Sequence, residues 1–367
     1  MIDTVVLKIS KEQVSFSDIP TIVCGNWELQ SKTRNYDKYI KNSMKNESEY
    51  FPRLTLYKRG NREDYNTSIK IEFSVPKLLY HNNLDEVSDR DFPEVLRVLR
   101  KKLDEMGLIV SIETLKNAQI TTVHYSKNIK IESGYTANYI INELNKINAS
   151  KSFDITRAKY VNDGQSFTCH NQSHAFIVYD KVADLAKTSK KAIDKDQSLF
   201  QMSLFDQLPK KTEILRLEIR IIKIPKLNQL LKKLNFKENP SFEQVFSEKL
   251  SQKIVWHYWE TIIKLNAPLL FCHALQNKEI LAMLLQNVAK LKQSIYLAGL
   301  FILAKENNGL RELRSIAKAS NQRSLYRMMA DYKDMQKYLI KLNPRDWFFE
   351  IDRQLQKYNT IKINQFE

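Results

Sequence analysis

Tyr179 and Lys181 stand two apart in SHAFIVYDK (173–181), and Arg216, Glu218 and Arg220 stand two apart in EILRLEIRIIKI (213–224). Both runs are aliphatic and β-branched and read as strands, in which residues i and i+2 share a face. Ile177, Tyr179 and Lys181 then point one way, and Phe176 and Val178 the other. Leu215, Leu217 and Ile219 face a core, and Arg216, Glu218 and Arg220 face away from it. If the two strands pair, a phenol, an ammonium, a carboxylate and two guanidiniums meet on one surface. These groups suit a phosphodiester: the phenol as nucleophile, the carboxylate as a metal ligand, the cations against phosphate charge. The plain alternative is a half-buried edge tyrosine beside a solvated, ion-paired strand. These residues alone leave both open.

The elements that must position them follow from hydrophobic period. Residues 2–9 are aliphatic and β-branched and predict a first strand, and residues 53–58 alternate like a second. In residues 69–75, Ile69, Ile71 and Phe73 take one face and Lys70, Glu72 and Ser74 the other, with Pro76 ending the strand. Residues 92–106 carry apolar positions at helical spacing and close at Gly107. Strand signal returns over 118–131, helix over 135–147, and strand over 153–160 and 167–169. Residues 27–49 are polar and without clear period. From about residue 226 helical patterns dominate, over 242–265, 271–305 and 310–342. The alternation predicts an α+β fold, with one domain over 1–230 and a helical, basic region over 231–367.

Composition narrows the function class. The chain has 367 residues, 43% hydrophobic and 27% charged, as an ordinary globular protein of about two domains does. Its net charge of +16 comes from Lys and Arg spread along the whole chain, which favours a polyanionic partner, nucleic acid before anionic membrane. The longest apolar run, residues 295–304, is too short to span a bilayer, and the first residues lack the apolar core of a secretory signal. Cys24, Cys169 and Cys272 match no zinc spacing and predict reduced thiols in a cytoplasmic chain. Seven glycines and no phosphate-binding loop argue against a nucleotide-driven motor.

Five stretches, MIDTVVLKI, IKIEFSVPKLLYHNNLDE, NAQITTVHYSKN, AFIVYDK and LRLEIR, occur in this order. Together they resemble the gene II/gene X replication initiators of filamentous phages and related plasmids. The last two are also similar to the tyrosine and glutamate strands of the Rep_trans plasmid initiators. The resemblance covers about residues 1–230 and implies an HUH-endonuclease fold: an antiparallel sheet with helices on one face, here followed by a helical C-terminal region. It implies rolling-circle initiation by nicking one DNA strand at an origin. A tyrosine becomes linked to the 5′ end, the released 3′-hydroxyl primes synthesis, and the displaced strand is later resealed. Carried onto this chain, Tyr179 is the nucleophile and Lys181 the cation for its phenolate. Glu72, His124 and Glu218 are the ligands for Mg²⁺ or Mn²⁺, and Arg216, Arg220 and Lys127 meet DNA. The His-hydrophobic-His signature of the superfamily is absent, which leaves His170 and His174 as rival ligands.

The resemblance further implies single-stranded and duplex origin DNA, and a host helicase, as partners in a bacterial cytoplasm, with no membrane. A transposase or relaxase would use the same chemistry, and a non-catalytic DNA-binding regulator of this fold is the remaining alternative. Gln201, Leu204 and Phe205 in QMSLF resemble the pentapeptide by which proteins bind the bacterial sliding clamp; the alternative is that Leu204 and Phe205 tuck back onto the protein's own core. Residues 310–332 are compatible with a helix-turn-helix whose Arg323 and Arg327 face duplex DNA, and equally with an ordinary helical hairpin with a basic outer face.

Overall fold

The computed structural model describes residues 1–17, 27–33, 35–41, 49–60, 66–147, 166–185, 212–266, 275–288, 290–305, 313, 316, 322–339 and 345–362. The fold is α+β and is built on a large antiparallel sheet. Its strands are β1 (Ile2–Ser10), β2 (Val14–Phe16), β3 (Glu28–Thr33), β4 (Tyr36–Lys41), β5 (Arg53–Arg59) and β6 (Asn66–Ser74), then β7 (Leu108–Val110), β8 (Gln119–Lys130), β9 (Ser166–His170), β10 (His174–Asp180) and β11 (Ile214–Ile221). Nine strands form one sheet in the order β3-β4-β5-β6-β1-β8-β11-β10-β9, and β2 pairs with β7 beside it.

Alternation sorts the two faces. Val5, Leu7 and Ile9 of β1, Ile69, Ile71 and Phe73 of β6, Val123 and Tyr125 of β8, Leu215, Leu217 and Ile219 of β11, and Phe176 and Val178 of β10 are all buried on one side. That apolar face needs a cover, and helices supply it. The described helices are α1 (Val75–Tyr80), α2 (Phe92–Glu105), α3 (Ile112–Asn117), α4 (Ala137–Asn145), α5 (Lys181–Leu185) and α6 (Ile224–Lys233), then α7 (Phe242–Val245), α8 (Glu248–Tyr258), α9 (Asn277–Asn287), α10 (Leu291–Lys305), α11 (Gln322–Leu339) and α12 (Asp346–Lys357). Ser241 and Ser247 cap α7 and α8, accepting from the amides of Gln244 and Leu250. Phe242 of α7 then meets Phe73 edge-on at 5.8 Å, and Tyr258 of α8 lies 6.1 Å from Phe176. The Tyr125 hydroxyl, on the same face, donates to the Val245 carbonyl at 3.1 Å.

Hydrophobic packing groups the chain differently from a boundary at residue 230. One core joins the sheet to α7, α8 and α12, the last through Trp347, Phe348, Ile351 and Leu355. A second core holds Ile280 and Leu284 of α9, Leu297 and Phe301 of α10, and Tyr332 and Met335 of α11.

Local differences from expectation have local causes. Pro76 does not merely end a strand: it sits in the first turn of α1, where its missing amide costs nothing. Lys181 is not a strand residue, because β10 stops at Asp180, whose Oδ1 accepts from the Ala183 amide at 2.9 Å and opens α5. The polar stretch after residue 27 contains β3 and β4, which extend the sheet although their sequences show weak alternation. The strand expected over 153–160 lies outside the described residues, as do most of residues 310–321. No helix among the described residues is long and apolar enough to cross a membrane.

Candidate functional site

The polar face of the sheet is built by register. Across β10 and β11, Tyr179 stands opposite Arg216 and Ile177 opposite Glu218. Across β11 and β8, Arg220 stands opposite His124, and Glu218 opposite Ser126. On the other side of β8, His124 stands opposite Thr4 of β1. Residues far apart in sequence thus share one surface, because directly opposed residues in a pair point to the same face.

Asp3 reaches this surface through an irregularity. Ile2 pairs with Tyr125 and Thr4 with His124, so β1 spends two residues where β8 spends one. Asp3 is the extra residue of a β-bulge, a device that re-aims a side chain. Simple alternation would place it with Val5 and Leu7 in the core; instead its carboxylate meets Arg216, Oδ1 to Nη2 at 2.9 Å. The same Nη2 donates to Ser126 Oγ at 2.8 Å, and Nη1 donates to the Asn83 carbonyl. Ligand atoms of Asp3, His124 and Glu218 all lie within 4.8 Å of one another. His124 Nδ1 is 3.7 Å from Glu218 Oε1.

Electrostatics set the protonation states. Burial works to raise the Glu218 carboxyl, but Arg220, with Nε 2.7 Å from Oε1, outweighs it, and with help from Arg216 holds the pKa at about 2. Burial lowers the His124 pKa, partly offset by Glu218, which favours a neutral imidazole with a free lone pair. Burial pushes the Tyr179 phenol well above its ordinary value, while the Arg216 guanidinium pulls the other way. Tyr179 keeps part of its surface open. Lys181 is buried with its Nζ 5.8 Å from the centre of the Tyr179 ring and 3.3 Å from Asp184 Oδ2. Burial, reinforced by Arg216, brings its ammonium down to about 8.

Two carboxylates and an imidazole make a donor set of hard oxygens with one nitrogen. That set fits Mn²⁺ and is compatible with Mg²⁺. Asp3, His124 and Glu218 could therefore hold a divalent ion beside Arg216 and Tyr179.

Of the residues singled out from sequence, Tyr179, Lys181, His124, Glu218, Arg216 and Arg220 come together here. Arg216 is buried within the network, whereas Arg220 leaves 43% of its side chain exposed. Glu72 shares the face but not the cluster: it is exposed on β6, opposite Val6 and Arg53, and Asp3 stands where it was expected. Lys127, expected from sequence as a DNA contact, is not on this face. It shares the face of the core residues Tyr125 and Ile129, is buried, and gives its ammonium to Glu86 and to the Asn359 carbonyl. His174 is buried against Tyr258 on the helical side, and burial takes its pKa down to about 4. His170 lies on the edge strand β9 outside the cluster. Arg323 and Arg327 are exposed on α11. Gln201, Leu204 and Phe205 lie outside the described residues. The signal that would have found Asp3 is an acid at a core-parity position of an otherwise apolar strand. No protein-family model, curated protein or solved structure matches this chain.

Proposed function

We propose that the chain nicks and rejoins single-stranded DNA through Tyr179 with the help of a divalent metal ion, in the manner of an HUH-type rolling-circle replication initiator. One observation carries the reading. A partly open tyrosine stands beside Arg216, and Arg216 is tied to Asp3 of a three-ligand cluster on the polar face of an antiparallel sheet. In the nicking step Tyr179 Oη attacks the scissile phosphorus, an Oη–P bond forms and the P–O3′ bond breaks. Lys181 in its neutral amine form takes the phenol proton and becomes the ammonium beside the phenolate; its pKa of about 8 keeps that form within reach near neutral pH. The departing 3′ oxygen takes up a proton from solvent water, and attack by a 3′-hydroxyl on the phosphotyrosine reverses the sequence. Arg216 faces the phenolate as it forms, and the exposed edge of Arg220 is available to a phosphate oxygen. A divalent ion on Asp3, His124 and Glu218 would supply charge neutralisation at the phosphate. The helical cover on the apolar face, with the polar face left for DNA, agrees with the same reading.

The test is an adduct assay. Labelled single-stranded oligonucleotides tiled across the DNA flanking the gene are incubated with the full chain and Mn²⁺, then run on a denaturing gel. The wild type is expected to form a covalent adduct that maps to the peptide containing Tyr179. Tyr179→Phe is expected to fold, losing at most about 1 kcal/mol, and to form none. An adduct on another tyrosine, or one undiminished in Tyr179→Phe, overturns the assignment.

A further inference from the structure

We infer that the β4–β5–β6–β1 part of the polar face is a binding track for single-stranded DNA, with Tyr36 and Tyr57 as its stacking platforms. Register places Tyr36 opposite Arg59, Lys38 opposite Tyr57, and Thr55 opposite Lys70. Lys70 in turn stands opposite Lys8 of β1. Because Glu72 and Thr4 belong to the same register, these side chains continue the face that carries His124 and Tyr179.

The side chains are arranged as rings among cations. Tyr36 and Tyr57 have centroids 5.8 Å apart at an interplanar angle of 36°. The Arg59 guanidinium lies 5.7 Å from each ring, and Lys70 Nζ lies 5.0 Å from the Tyr57 ring. Lys8 and Arg59 are exposed, and Tyr36, Lys38, Tyr57 and Lys70 are partly exposed. Among the described residues, none of Lys8, Lys38, Arg59 and Lys70 has a carboxylate ion-pair partner. Burial, with Arg59 and Lys8 adding to it, lowers the Lys70 ammonium, so these cations repel one another until an anion arrives. Of the acids on this stretch, Glu72 stands opposite Arg53, and Glu28 sits on the edge strand.

Cations alone would suit any polyanion, but rings laid among them select for exposed bases. A duplex hides its base faces and a lipid headgroup has none, whereas a single strand offers both phosphates and faces. The choice of DNA over RNA rests on the proposed nicking reaction. A tyrosine nucleophile serves a backbone that lacks a neighbouring 2′-hydroxyl. From β5 to β10 there are five strand steps. At about 4.8 Å each they span about 24 Å, or about seven nucleotides at about 3.4 Å per stacked base.

Binding of a fluorescein-labelled oligothymidylate to the full chain, followed by anisotropy in EDTA, tests this without any strand cleavage. Tyr57→Ala is expected to weaken binding about tenfold or more, and Tyr57→Phe, which keeps the ring, to stay within about twofold. Arg59→Ala is expected to flatten the slope of log affinity against log salt by about 0.7. A thermal melt checks that Tyr57→Ala folds; if it does not, the exposed Arg59 carries the test. Wild-type affinity and salt slope in both alanine variants would overturn the inference. So would equal binding of duplex DNA, oligouridylate or anionic vesicles at the same residues. A wild type that forms no adduct but binds through Tyr57 removes the role of Tyr179 and leaves the track. Adduct formation with unchanged affinity in Tyr57→Ala and Arg59→Ala does the reverse.

Discussion

At the scale of single residues, the site depends on how each charge is neutralised. Glu218 is buried and ionised because Arg220 holds it, and Arg216 is buried and charged because Asp3 and Ser126 hold it. The cluster therefore arrives with two carboxylates fixed in place and one histidine kept neutral. Metal affinity should follow from this. Asp3→Asn keeps an oxygen for Arg216 but removes the ligand charge, and should weaken Mn²⁺ binding by calorimetry about tenfold or more. Glu72→Ala should change it less than about twofold, because Glu72 stands outside the cluster. The opposite ranking would return Glu72 to the ligand set. His124 and Glu218 were legible as polar-face residues of their strands. Asp3 was not, because a bulge reverses parity and bulges leave little trace in a single sequence.

At the scale of elements, one buried ion pair ties three segments together. Glu86 accepts from Lys127 Nζ, from the Asn128 amide at 2.6 Å and from the Ile361 amide at 3.0 Å. Asn128 Nδ2 donates to the Leu84 carbonyl at 2.7 Å, and the neighbouring Asn83 carbonyl accepts from Arg216. The segment after α1 is thereby held against β8, the residues after α12 are held to both, and Arg216 gains part of its support. Breaking such a pair strands a charge out of water. Lys127→Met should cost about 3–5 kcal/mol in urea unfolding and speed amide exchange at Ile361. A loss below about 1 kcal/mol would mean the pair contributes no net hold. Lys127 has the parity of Tyr125 and Ile129, yet from sequence it was read as a cation for DNA. Only the placement of Glu86 shows why an ammonium is tolerated there.

At the scale of the molecule, α12 packs into the core of the sheet, while α9, α10 and α11 share a separate core. Trp347 and Ile351 are fully buried and Leu355 nearly so. At about 1.5–3 kcal/mol per buried large side chain, a chain stopped before residue 345 should lose on the order of 5 kcal/mol. It would also lose Asn359 and Ile361 from the ion-pair network. Thermal melting of that truncation against the full chain measures the effect, and an unchanged midpoint would show that α12 adds nothing to the sheet. The net charge of +16 belongs to this scale too. It favours polyanions in general, whereas the choice among them depends on where rings and cations fall on one face.

Sequence by itself determined what depends on neighbours along the chain. Period-two alternation assigns Tyr179, Arg216, Glu218, Arg220 and His124 to faces, and helical period marks 242–265. The α+β class and the helical character after residue 226 follow from the same local periods. Strand order is not local. Nothing in alternation says that β1 lies between β6 and β8, or that β8 pairs with β11, so the meeting of Asp3, His124 and Glu218 needed the assembled sheet. The same holds for the cation and ring track on β4 to β6, since cross-strand opposition depends on register. It holds again for the return of α12 to the first core, which depends on complementary apolar surfaces more than two hundred residues from β8. Face is a property of one strand, and a site is a property of several, so only tertiary pairing could turn the first into the second.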